Sequence, residues 1–181
     1  MAREVAEMRA IASGDPAAFA RLIDRESPRL LRFAHGLLGT LEEAEDVVQD
    51  TLIRLYENAG GWEPQARIGT WLHRICYNRS IDKLRRRRAL VDESVLDEMP
   101  DSAELPDSAL LRSETVRSVR EAIARLPHRQ RTAVLLFHFQ ELAQREAAGI
   151  MGISEPAFES LLARARRQMR ALLNMSEGDD A

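Results

Sequence analysis

The densest chemistry in this chain is cationic. Between Thr70 and Arg88 it reads TWLHRICYNRSIDKLRRRR, with Lys83 and Arg85, Arg86, Arg87 and Arg88 crowded near its end. Ammonium and guanidinium groups at that density suit a polyanion, and the aromatics and Asn78 upstream favour a nucleic acid. A solvated helix terminus is the plainer alternative, because cations in a last turn also complement the helix macrodipole. Two arginines would satisfy that alternative; four and a lysine go beyond it. Trp71, Leu72, Ile75, Ile81 and Leu84 fall close to helical spacing, so the cations ride on an amphipathic rod with one side buried.

No comparable set of residues points to catalysis. His35, His73, His128 and His138 are scattered, and the sequence holds neither a Glu-x-x-His pair nor a glycine-rich phosphate loop. Cys76 is the single cysteine, which excludes an internal disulfide and a cysteine-based zinc site. The chain is therefore expected to be no enzyme and to use no metal or cofactor.

The elements that must carry these residues follow from composition and periodicity. Hydrophobic residues make up 45% and charged residues 30% of the 181, mostly Ala, Leu, Arg and Glu, with no β-branched alternation of strand length, so helices are expected throughout. The net charge of −3 conceals a segregation. Residues 61–90 hold eight cations against two carboxylates, and residues 117–175 ten against five, while residues 91–116 hold one against eight. Two basic blocks separated by an acidic connector imply two separate phosphate-binding surfaces. The start, MAREVAEM, is charged where a signal peptide would be apolar, and no run approaches the ~18 apolar residues of a membrane span. Cytoplasmic location without membrane insertion is the expectation.

Along the chain, Asp15-Pro16 reads as a cap and first turn, and Pro28 either begins a further helix or kinks this one. Thr40 and Glu43 form a capping-box pattern before a helix from about Leu41 to Asn58. Its inner face carries Ala44, Val47, Val48, Thr51, Leu52 and Leu55; Asp46, Gln49, Asp50 and Ile53 lie on or beside the outer one. Gly60 to Pro64 is a turn-rich loop containing Trp62. After the basic helix, Pro100 and Pro106 interrupt an acidic, aperiodic linker. The second half predicts helices over 116–126, 129–139 and 141–151, then one capped by Ser154, with Phe158, Leu161, Leu162, Ala165, Met169 and Leu172 along one seam. A short helix, a turn at Gly152 and a second helix with an arginine-rich side is the pattern of a helix-turn-helix, although a plain helical hairpin would look the same.

Taken in order, GDPAAFARLI, AEDVVQDTLIRLY, WLHRICYNRSIDKLRRRR, LPHRQRTAVLLFHFQELAQREAAGIMGIS and ESLLARARRQMRALL resemble the extracytoplasmic-function (group IV) sigma factors of bacterial RNA polymerase, over almost the whole chain. The resemblance implies an all-α protein of two small helical domains joined by an acidic flexible linker. Region 2 would span 1–90, the linker 91–112, region 4 113–175 and an acidic tail 176–181. It implies core-polymerase docking through Asp46, Gln49, Asp50 and Thr51, with Leu52 and Leu55 adding apolar contact. At the minus-ten element it implies Trp62, Arg67, Arg74 and Asn78 beside a flipped base, and Lys83 and Arg85 to Arg88 on phosphates. At the minus-thirty-five element it implies Ser160 and Arg164 near bases and Arg166 and Arg167 on phosphates.

The sequence departs from the family pattern at Glu159, where many members are basic, and at LAQREAA before the turn, so promoter preference does not transfer. The implied partners are core polymerase, promoter DNA and an anti-sigma factor. A sigma-like decoy that sequesters an anti-sigma factor and a freestanding helix-turn-helix regulator remain as alternatives from other classes. The lack of room for a receiver domain and the intact arginine cluster weigh against the decoy.

Overall fold

The computed structural model describes residues 1–90 and 114–178, leaving aside the side chains of residues 88, 90, 114, 115 and 175–178. The expected linker and the end of the acidic tail lie outside the described residues. All regular structure within them is helical, and the chain divides into two compact units.

The first unit is built from α1 (Ala2–Ala12), α2 (Pro16–Leu38), α3 (Leu41–Asn58), a 3-10 turn (Ala59–Gly61) and α4 (Ile68–Leu90). Asp15 starts α2 as expected, its Oδ1 accepting from the N–H groups of Ala17 and Ala18 at 2.9 and 3.1 Å. Pro28 does not begin a further helix: α2 runs through it. Pro28 and Asp24 are both exposed, so the Asp24 carbonyl that proline leaves without a helical partner can be solvated. Leu22, Leu30, Phe33, Ala34 and Leu37 of α2 meet Ile68, Leu72 and Cys76 of α4 in the core. Each large side chain buried there contributes roughly 1.5–3 kcal/mol.

Helix α1 fixes the start of α4. Its Glu4 Oε1 accepts from the N–H of Ile68 at 3.2 Å, while Glu7 takes a two-pronged bond from Arg25 at 3.0 Å on each oxygen. The buried carboxylate of Glu26, also bonded by Arg25 at 2.9 Å, lies so near the first turn of α4 that a Cβ at position 69 would stand 3.2 Å from its Oε2. Gly69 permits that approach.

The second unit comprises α5 (Glu114–Ala124), α6 (His128–Val134), a π-helical turn (Leu135–Phe139), α7 (Gln144–Met151) and α8 (Glu155–Gly178). α8 packs on α5, α6 and α7, with Phe158, Leu162 and Ala165 buried against Leu126, Leu136 and Ala147. Two expectations change here. The helix expected over 129–139 widens into a π turn after Val134, closed by Gln140 N–H to the Leu135 carbonyl at 3.1 Å. The helix expected from Glu141 starts only at Gln144, because Glu141 adopts a left-handed φ of 54° that no α-helix can continue. Gly152 closes α7 at φ 64°, ψ 35°, and Ser154 Oγ accepts from the Ala157 N–H at 3.4 Å to open α8.

Candidate nucleic-acid interface and docking face

α4 presents two different cationic sides. At 100° per residue, Arg74, Asn78 and Arg85 lie within roughly 40° of one another on a single stripe. All three are exposed, as is Arg67 in the preceding loop, whose carbonyl accepts from the Trp71 N–H at 3.0 Å. Trp71 and Trp62 are half-buried.

Lys83 and Arg87, one turn apart, face the other way and reach α3. Lys83 Nζ pairs with Asp46 Oδ2 at 2.7 Å. Arg87 pairs with Glu43 and donates to the Leu38 carbonyl at 3.5 Å. The arginine run is thus split: Arg85 and Arg86 are open to solvent, whereas Lys83 and Arg87 are engaged with α3. Sequence periodicity carries this split, but only the packing of α3 against α4 gives it a partner. The Arg88 side chain lies outside the described residues.

On α3, Asp46, Gln49 and Asp50 form an exposed row of acid and amide groups. Thr51 and Leu55 do not belong to it, which corrects their place among docking contacts. Both are fully buried, and Thr51 Oγ1 donates to the Val47 carbonyl at 2.7 Å inside the unit. They lie on the side of α3 that faces the core, so no partner reaches them without unfolding it. Leu52 is half-buried and lines an open groove of about 880 Å³ between α2 and α3. Phe19, Ile23, Leu31, Val48, Ile53 and Tyr56 give that groove an apolar lining, and Gln49 sits on its edge. The motifs that contain Phe19, Ile23 and Tyr56 gave these three side chains no role of their own. The available signal was Ile53 and Tyr56, three apart on the outer side of α3, each about half exposed at 48% and 56%.

In the second unit, Ser160, Arg164 and Arg167 form one exposed stripe of α8, opposite the Phe158, Leu162 and Ala165 seam. Arg166 stands apart: its guanidinium carbon is 5.9 Å from the centre of the Phe137 ring, a cation–π contact. His138 packs edge-on against the same ring, and partial burial, with Arg166 nearby, pushes its pKa below the usual histidine value. Glu159 is exposed beside the stripe.

Among the described residues no group of three or more His, Cys, Asp and Glu side chains converges as a metal site, and no helix is long and apolar enough to cross a membrane. Cys76 is buried in the α2–α4 core, which pushes its thiol up to about 12.

Comparison with known proteins bears on what these surfaces serve. Residues 22–90 match the family model of sigma-70 region 2, and residues 117–169 that of sigma-70 region 4. The sigma factor SigM of Mycobacterium tuberculosis is 33% identical over 161 residues, covering 89% of this chain and 80% of its own. SigW of Bacillus subtilis is 27% identical over 173 residues, covering 90% and 92%. Among solved structures, the sigma factor RpoE of Bartonella quintana, crystallised with the anti-sigma factor NepR, superposes with a TM-score of 0.75 at 28% identity, covering 86% of this chain and 96% of that one. With its helical units, its two matched regions and relatives along most of its length, the chain belongs to the extracytoplasmic-function sigma factors of RNA polymerase.

Proposed function

We propose that this protein is a dissociable initiation factor that directs core RNA polymerase to specific promoters and opens the minus-ten DNA, under the control of an anti-sigma factor. The observation that carries this reading is the pairing of two exposed cationic stripes in separate units with an acid and amide row on α3. Each stripe lies in a segment that matches a sigma region.

In this reading residues 1–90 act as region 2. Asp46, Gln49 and Asp50 meet a basic polymerase surface, and the groove beside them, continuous through Gln49, takes apolar side chains of the same partner. Arg67, Arg74 and Asn78 contact the opened strand next to the flipped base, Trp62 contributes ring surface, and Arg85 and Arg86 hold flanking phosphates. Residues 113–175 act as region 4, with Ser160 and Arg164 towards base edges in the major groove and Arg167 on phosphate. Nucleotidyl transfer stays with the polymerase, so the compartment is the cytoplasm, where the polymerase works. The solved complex of the Bartonella relative with an anti-sigma factor supports the same kind of control here.

Transcription reconstituted with purified core polymerase tests the proposal. Addition of the protein is expected to produce promoter-specific transcripts and permanganate-reactive thymines in the minus-ten segment. Binding to an anti-sigma factor without binding to core would instead mark a decoy, and tight binding to duplex promoter DNA without polymerase would mark a freestanding regulator.

A further inference from the structure

The family resemblance implies a polymerase contact for Asp46 and a DNA contact for Lys83, yet the two are bonded to each other at 2.7 Å. They stand in a polar crevice of about 240 Å³ between α3 and α4, lined also by Gln49, Asp50, Arg79, Asp82 and Arg86. Arg79, Lys83 and Arg86 form a contiguous cationic strip along α4, and neither Arg79 nor Arg86 makes an ion pair among the described residues. Lys83 is therefore the member of the strip whose charge is cancelled in the free protein.

We infer that Asp46 is a shared ligand: it holds Lys83 back while the protein is free, and polymerase docking releases Lys83 to phosphate. A basic partner surface that engages Asp46 competes for its carboxylate and repels the ammonium beside it. Lys83 stands on a four-carbon stem and can swing to join Arg79 and Arg86. Exposure decides that this pair exchanges and its neighbour does not. Asp46 is 64% exposed, so an incoming partner reaches it and the pair itself is weak. Glu43 is only 25% exposed and its partner Arg87 is also bonded to the Leu38 carbonyl, so that pair braces α4 on α3. Docking would thereby add one cation to the DNA side, a coupling between two binding events. The inference rests on the proposed roles of α3 and α4.

The test uses the free full-length chain and a fluorescent single-stranded DNA oligonucleotide, titrated by anisotropy over a series of low salt concentrations. Asp46→Asn is expected to tighten binding about two- to fivefold and to steepen the salt dependence by about 0.7, the slope of one single-strand phosphate contact. Lys83→Gln alone should change little, and in the Asp46→Asn background it should abolish the gain. Asp50→Asn makes the same change in net charge without freeing a cation, and should give neither the full gain nor the steeper slope. Equal effects of Asp46→Asn and Asp50→Asn, a gain that survives Lys83→Gln, or no gain at all would overturn the inference. Weakened binding in Arg74→Gln and Arg86→Gln would leave the DNA-binding role of α4 standing in that event, whereas indifference to every α4 substitution would reject that role itself.

Discussion

Phe19 of α2 and Tyr56 of α3 meet ring to ring, their centroids 5.4 Å apart and their planes tilted by 57°. Both rings line the apolar groove, and Tyr56 remains more than half exposed. With Phe19 half-buried and Tyr56 exposed beside the acid and amide row, the pair offers apolar ring surface that a partner can cover.

Ile53 offers the cleanest test of that surface. It is exposed, so Ile53→Asp should change stability by no more than about 0.5 kcal/mol. Its affinity for core polymerase should fall about tenfold, or ~1.4 kcal/mol, because a carboxylate would be buried in the apolar part of the contact. Thermal unfolding and binding to immobilised core, measured on the same preparation, check both halves; unchanged affinity would remove the groove from the docking face.

The α8 stripe predicts a division of labour. Arg164→Gln should relax base preference at one minus-thirty-five position by about 1–3 kcal/mol. Arg167→Gln should weaken all promoters alike and reduce the salt slope by about 0.9. Arg166→Gln should act through the fold, losing about 0.5–1 kcal/mol of contact with Phe137. Transcription from a randomised minus-thirty-five library by the reconstituted holoenzyme, alongside denaturation of the three variants, separates the outcomes.

Two glycines of the second unit should respond to the same substitution with opposite signs. Gly152 has a φ of 64°, so Gly152→Ala should cost about 1 kcal/mol even though no atom lies within 4 Å of the added methyl. Gly149 sits inside α7 with equally open space, and Gly149→Ala should stabilise by about 0.5–1 kcal/mol through helix propensity. Urea denaturation of the two variants decides the signs.

Cys76 makes the first unit sensitive to alkali. Burial raises its thiol from the ordinary 9.0 to about 12, so above pH 9 the unfolded chain releases a proton that the folded chain retains. Stability should therefore fall as pH rises between about 9 and 12, by up to ~1.4 kcal/mol per pH unit from this group. Below pH 9 the group makes no difference. Denaturation curves at pH 8 and pH 10 should show a smaller drop for Cys76→Ala than for the native sequence. Native Cys76 should also resist alkylation at pH 8 until the protein unfolds.

Helices and the cationic stripes were legible in the sequence because a 3.6-residue period sorts apolar from charged positions without knowledge of any neighbour. Asp15 capped as its local chemistry required, and the charge segregation corresponds to an exposed cationic stripe in each unit. Local rules failed where the backbone departed from a repeating conformation. Nothing in the periodicity of residues 129–151 announces the π turn after Val134 or the left-handed Glu141.

The sequence alone determined which side chains share a helix face, since that depends only on spacing along one rod. It could not determine what each face meets. Thr51 and Leu55 are core as their spacing on the inner face of α3 required, against the docking role the resemblance implied, whereas Phe19, Ile23 and Tyr56 came to line an open groove where α2 and α3 leave space. Lys83 met Asp46, and Arg87 met Glu43, across 37 and 44 residues of chain. Contacts at such separations are fixed by how the rods cross, and that geometry is set by the whole core at once rather than by any segment within it.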